Sequence, residues 1–231
     1  MVLIFFSRRD AVAEYTVISP ATVTIADTVR IGAGAVIYPN NHIFGNTTIG
    51  AGAVLLPNNI IEDSIIGEDA RIEASVLRGA RVGKGASIGP FSNLRAGAVI
   101  GEYCRVGDFV EIKNASLGAG SKVSHLTYVG DADLGADCNV GCGVVFCNYD
   151  GAQKRRSRAG DGCFIGSNAN IIAPVTLGDG CYIAAGTTVA RDVPAGAFVI
   201  GRSRQQENAG LSEKYGYILL KKRAKGEKKD G

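Results

Sequence analysis

Tryptophan is absent from this 231-residue chain, methionine occurs once, and phenylalanine and tyrosine number eight each. An interior built almost without large rings is narrow, and 32 glycines suit the same narrow shape. Histidine occurs twice, at His42 and His125, which excludes a catalytic zinc held by three imidazoles. The six cysteines, at 104, 138, 142, 147, 163 and 181, form no C-x-x-C pair and have no histidine at zinc-finger spacing. They read as reduced, partly buried thiols of a cytoplasmic protein. Long apolar runs are also missing. Residues 2–6 (VLIFF) are too short to span a bilayer, and the arginines follow that run rather than precede it, the wrong order for a secretory leader. No Gly-rich phosphate loop followed by lysine occurs, and no dinucleotide fingerprint. The net charge of +3 is carried by residues 221–231 (KKRAKGEKKDG), which hold +4 and leave the rest at −1. A chain body so balanced has no broad nucleic-acid footprint, and the basic end reads as a solvated tail.

What the chain does have is a six-residue rhythm. Aliphatic residues return at Ile31, Ile37, Ile43, Ile49, Leu55 and Ile61, then at Val82, Ile88, Leu94, Ile100, Val106 and Ile112, and again at Ile165, Ile171, Leu177, Ile183 and Val189. Neither an α-helix nor an ordinary strand has this period; a hexapeptide β-helix does, because three hexads close one triangular coil. The aliphatic residue points into the prism, and small residues sit where the chain turns a corner. The expected fold class is therefore all-β, a left-handed parallel β-helix of hexapeptide repeats with a short C-terminal tail. At ~18 residues per coil and ~4.8 Å per rung, residues 31–189 make about nine coils, roughly 40 Å tall. The rhythm slips to five residues at Ile61 to Ile66, Ile112 to Leu117 and Val129 to Leu134. Its largest break, residues 147–158 (CNYDGAQKRRSR), reads as a basic loop on the binding face. The expected organisation is an irregular lead-in and cap over 1–18, entry at Ser19-Pro20, the β-helix over 19–204 and a polar tail over 205–231. A short helix or strand is expected within 212–223.

Polar residues concentrate between 109 and 154. Arg95 and Lys113 are one 18-residue coil apart and are expected to stack on one face with no acid between them, an arrangement suited to an anion such as a sugar phosphate. Glu111 and Lys113 precede His125 by about two-thirds of a coil, so a base, an orienting carboxylate and two cations can surround one cleft. A lone histidine is more often structural, and Asn148-Tyr149-Asp150-Gly151 taken alone is a plain turn sequence.

The segments GPFSNLRAG, VGDFVEIKN, SKVSHLTYVGDADLG, NVGCG and CNYDG change that balance. Over about residues 19–204 the chain resembles the acetyltransferase half of the bifunctional N-acetylglucosamine-1-phosphate uridylyltransferase / glucosamine-1-phosphate N-acetyltransferase family. The nucleotidyltransferase half, with its Gly-rich loop, has no counterpart here, so uridylyl transfer is not expected. The resemblance implies acetyl-CoA-dependent N-acetylation of glucosamine 1-phosphate, feeding UDP-N-acetylglucosamine and cell-wall precursor synthesis, with no metal in this half-reaction. It implies His125 as general base, at home near neutral pH, and Glu111 as the carboxylate that orients it. It assigns Arg95, Lys113, Tyr128, Asn139 and Lys154 to the sugar phosphate, Lys154 from a neighbouring subunit's loop. Cys142, Asn148, Tyr149, Ser167, Ala185 and Arg202 go to acetyl-CoA, with an oxyanion-stabilising N–H near Cys142 and the Ser167 hydroxyl near the leaving sulfur. Rods of this kind gain deep sites by packing side to side, so a cytoplasmic homotrimer is expected. Two departures stand out: Ala96 where the family often has proline, and Cys142 where it often has alanine. Acylation of another amino sugar or a nucleotide sugar, and a trimeric scaffold without chemistry, are the competing readings. The zinc carbonic anhydrase built on the same rod is excluded by the two-histidine count.

Overall fold

The computed structural model describes the backbone of Leu3–Phe6, residues 14–207 and Leu211. The chain divides into two compact units, Met1–Gly201 and Arg202–Gly231. The first is the expected parallel β-helix. Its strands are mostly two or three residues long, because a corner interrupts the chain at nearly every sixth residue. They stack into three sheets of twelve, ten and nine strands, which form the three faces of a prism. Below, the first, second and third faces are those met in chain order by Val36–Ile37, His42–Phe44 and Thr48–Ile49.

Each short strand points one side chain in and one out. On the first face the inward row reads Ile37, Leu55, Ile72, Ile88, Val106, Val123, Val140, Ile165 and Ile183, all buried. These residues pair in register from rung to rung. The periodic aliphatics of the sequence are thus one continuous core. Four cysteines also belong to it: Cys104, Cys138, Cys163 and Cys181 are buried, where earlier rungs carry Ala35, Ala53, Ala70 and Ala86. All six cysteines are free thiols. The Cys138 thiol is pushed well above its ordinary range by its hydrogen bond with Cys163 and then by burial, which keeps it protonated and inert.

Three boundaries differ from the expectation. The helix begins before Ser19: Tyr15–Ile18 is already a strand of the first face, with Thr16 paired to Val36 and Val17 buried. The run at the N-terminus is not an irregular lead-in, because Leu3–Phe6 adds an antiparallel strand to the end of that sheet, with Ile4 opposite Val17. The large break is shorter than 147–158, since Cys147 still closes the strand Val145–Cys147 and Ser157 opens Ser157–Ala159. The loop proper is 148–156. The last rung is Phe198–Val199. The expected element within 212–223 and the basic tail lie outside the described residues.

Candidate active site

The corner between the first and second faces carries a column of residues. Backbone bonds run up it: Leu126 N–H donates to Asp108 O (3.0 Å), Gly143 N–H to His125 O (3.3 Å), Asn168 N–H to Cys142 O (2.8 Å) and Gly186 N–H to Ser167 O (2.8 Å). Asp108, His125, Cys142, Ser167 and Ala185 therefore stand one above another. The sequence placed His125, Cys142, Ser167 and Ala185 in one site, and the structure lines them up along one edge. The exposed corner residues Phe109 and Leu126 hold φ of 55° and 48°, a left-handed conformation that bulky residues adopt at a cost of ~1–3 kcal/mol.

His125 is exposed and meets a carboxylate other than the expected one. Its Nδ1 lies 2.5 Å from Asp108 Oδ1. The two residues are in register on neighbouring rungs, in the four-residue strands Arg105–Asp108 and Lys122–His125. The bond to His125, then one to its own backbone N–H, hold the Asp108 carboxyl below its ordinary range. Glu111 faces elsewhere: its Oε1 accepts from Arg95 Nη1 at 2.7 Å. That pair also corrects the expectation that no acid lies between Arg95 and Lys113. Arg95 is one rung below Lys113, and Glu111, two residues before Lys113 on the same strand, reaches down to it.

Beyond the corner, the second face presents Glu111, Tyr128 and Val145 outward in one row. At its far edge lies a second polar cluster. Asp131, 7% exposed, accepts from Asn114 Nδ2 and from Asn148 Nδ2, each at 2.5 Å. Burial pushes its carboxyl up, but those two bonds and the charges of Lys113 and Lys154 outweigh it and leave the group below its usual range. Asn148 Nδ2 also lies 3.4 Å from the Tyr128 hydroxyl. The Lys113 and Lys154 ammonium groups are close enough that Lys113 drives the Lys154 pKa down.

The loop that carries Lys154 is clamped from its far end. Arg156 donates Nε to Asp133 Oδ2 (2.8 Å), Nη2 to Asp133 Oδ1 (3.0 Å) and Nη1 to Asn114 O (2.9 Å). Tyr149 and Lys154 form an isolated antiparallel bridge, and Asp150 Oδ1 accepts from the N–H groups of Ala152 and Gln153. Asp108, Asp131, Asp133 and Arg156 were absent from the sequence-derived site.

One expected residue is not gathered with these. Asn139 lies on the first face, between Lys122 and Phe164, around the corner from Tyr128 and Lys113. Arg202 is exposed and belongs to the second unit. Among the described residues no group of three or more His, Cys, Asp or Glu is placed to hold a metal ion, and no helix is long and apolar enough to cross a membrane.

Comparison with known proteins agrees with the coil and narrows it. The family described as Bacterial transferase hexapeptide (six repeats) matches residues 79–114 and 160–191. The bifunctional protein GlmU of Clostridium beijerinckii is 45% identical over 201 residues, 87% of this chain and 44% of that protein. GlmU of Shouchella clausii is 48% identical over 190 residues, 82% of this chain and 42% of that protein. The chain spans less than half the length of these relatives. Among solved structures, LpxA, a UDP-N-acetylglucosamine acyltransferase from Bacteroides fragilis, aligns over 87% of this chain and 78% of its own, with TM-score 0.51 and 19% identity, a likeness of fold. By its repeat, its prism and these identities, the chain is a hexapeptide-repeat domain related to one part of the bifunctional GlmU proteins.

Proposed function

We propose that this domain is a glucosamine-1-phosphate N-acetyltransferase using acetyl-CoA, acting in the cytoplasm. The observation that carries the reading is exposed His125, bonded at Nδ1 to Asp108 at one edge of the second face, with Lys113 and the Lys154 loop towards the other, in a chain 45% identical to GlmU over 201 residues. Two ammonium groups held together repel, and a phosphate between them relieves the repulsion. Arg95 and Tyr128 line the space between with donors.

His125 Nε2 takes a proton from the 2-amino group as its nitrogen lone pair attacks the thioester carbonyl carbon. The tetrahedral oxyanion collapses, the C–S bond breaks, and coenzyme A leaves as the thiolate, which takes up a proton. No covalent acyl-enzyme is required, because an amine attacks a thioester directly. Half-buried Ser167 and exposed Ala185, above His125 in the same column, suit the coenzyme arm. Cys142 offers its backbone, and Tyr149 stays in the coenzyme set.

The proposed assembly is a homotrimer: Asn139 lies on the first face of its own chain, and side-to-side packing is the arrangement that would carry it to a neighbour's acceptor. A product-mass assay with acetyl-CoA and, separately, glucosamine 1-phosphate, glucosamine 6-phosphate and glucosamine tests the proposal. Acetylation of the 1-phosphate alone supports it. Acetylation of another acceptor, or of none by a folded trimer, overturns it in favour of a different acyl acceptor or a scaffold.

A further inference from the structure

We infer that Asp108, rather than Glu111, is the positioning carboxylate of His125, and that Glu111 acts instead on Arg95. The contacts divide cleanly. Asp108 Oδ1 is 2.5 Å from His125 Nδ1, and Glu111 Oε1 is 2.7 Å from Arg95 Nη1. Asp108 and His125 face each other in register on adjacent rungs, whereas Glu111, in register with Asn93, reaches diagonally to Arg95. The backbone adds a further tie, since the N–H of Leu126 donates to Asp108 O at 3.0 Å.

A carboxylate only accepts, so the ring atom facing it must carry the proton. Nδ1–H donates to Asp108, and Nε2 is left with its lone pair free. That is the tautomer an amine-deprotonating base requires, and the carboxylate also stabilises the imidazolium formed when the proton arrives. The charged neighbours on these two strands are Arg105 and Lys122, paired on the first face. Arg105 favours the ionised form of Asp108. Glu111, held by Arg95, fixes the guanidinium over the second face, so its effect belongs to acceptor binding.

The kinetic arm of the test rests on the acetyl-transfer reading; the spectroscopic arm does not. With two histidines in the chain, His42→Gln leaves a single imidazole to observe. Long-range proton–nitrogen NMR on that protein should show the Nδ1–H form of His125. In Asp108→Ala the ring should move towards the Nε2–H form that free imidazole favours, while Glu111→Gln should leave the tautomer unchanged. In the mass assay, Asp108→Ala should lower kcat ~10- to 100-fold with little change in KM. Asp108→Glu should recover part of the loss. Glu111→Gln should chiefly raise KM for the acceptor. A ring that stays Nδ1–H without Asp108, or that responds to Glu111→Gln instead, overturns the inference. A wild-type protein that acetylates nothing but shows the tautomer response overturns the proposed reaction and leaves the Asp108–His125 assignment standing.

Discussion

Asn148 and Asp131 meet at 2.5 Å across 17 residues of sequence, and that bond ties the base of the long loop to the rung beneath it. Asn148 is 8% exposed, so its amide has exchanged water for this carboxylate. Asp131→Ala would strand the Asn148 and Asn114 amides and remove the countercharge from Lys113 and Lys154. An unsatisfied buried group costs ~1–3 kcal/mol, so the variant should melt several degrees lower and bind phosphorylated acceptor more weakly. Calorimetry and a KM measurement check both outcomes. Equal melting temperatures would show that the amides find other partners.

The same carboxyl predicts an acid-limb effect on stability. The Asp131 pKa is lowered in the folded protein, so ionised Asp131 favours folding above the unfolded value of ~3.9. That contribution is lost as pH falls through the folded value. Melting temperature should therefore fall more steeply below about pH 4 in the wild type than in Asp131→Asn. Parallel slopes would remove Asp131 from the account.

Arg156 holds the loop through both oxygens of Asp133 and through Asn114 O. The clamp is partly exposed, so Arg156→Ala should change global stability little. Its effect should be local: the turn carrying Lys154 loosens, and the lysine spends less time beside Lys113. The expected result is faster tryptic cleavage around 154–155 and a KM for the acceptor raised ~10-fold, as for the loss of one charge-assisted contact. Unchanged cleavage would mean that the Tyr149–Lys154 bridge holds the loop alone.

The six-residue period exposed the prism because each inward residue in it is aliphatic, and Ile37, Leu55 and Ile72 satisfy that rule wherever they fall. The site was harder to read, because it depends on the exact coil length. At 18 residues per coil the position beneath His125 is Gly107, which offers no side chain. The five-residue step from Ile112 to Leu117 shortens that coil to 17 and puts Asp108 there instead. A one-residue slip at a corner thus exchanged a glycine for the carboxylate, while the Glu111 expectation comes from the family resemblance. Arg95 and Lys113 lie before the slip, so their 18-residue spacing predicted their stacking correctly. The loop gave no such arithmetic: nothing periodic relates Lys154 to Lys113 or Arg156 to Asp133.

Glycines on the column edge give a steric prediction. A Cβ on Gly166 would stand 2.5 Å from Ala185 N and 2.7 Å from Ile183 O, both backbone atoms that cannot rotate aside. Gly166→Ala should push the Ala185 rung outward. If the coenzyme lies along Cys142, Ser167 and Ala185, its KM should rise while the acceptor KM stays near normal. The melting temperature should also fall, because overpacking typically costs ~1–3 kcal/mol. A variant that melts lower but keeps the coenzyme KM would place the pantetheine arm elsewhere.

Ser157 offers the opposite kind of change. Its hydroxyl is buried at 1% exposure with no hydrogen-bond partner among the described residues. The residue one rung below, in register, is already alanine, Ala132, so a methyl group fits this part of the prism. A buried unpaired hydroxyl carries a desolvation penalty of ~1–3 kcal/mol that alanine does not. Removing one oxygen opens a small void, which takes back part of the gain. Ser157→Ala should therefore melt higher, by ~2–4 °C if the net gain is ~1 kcal/mol, with kcat unchanged because the side chain points into the prism and away from the cleft. A lower melting temperature would mean that the hydroxyl makes a bond in solution, with water as the available partner.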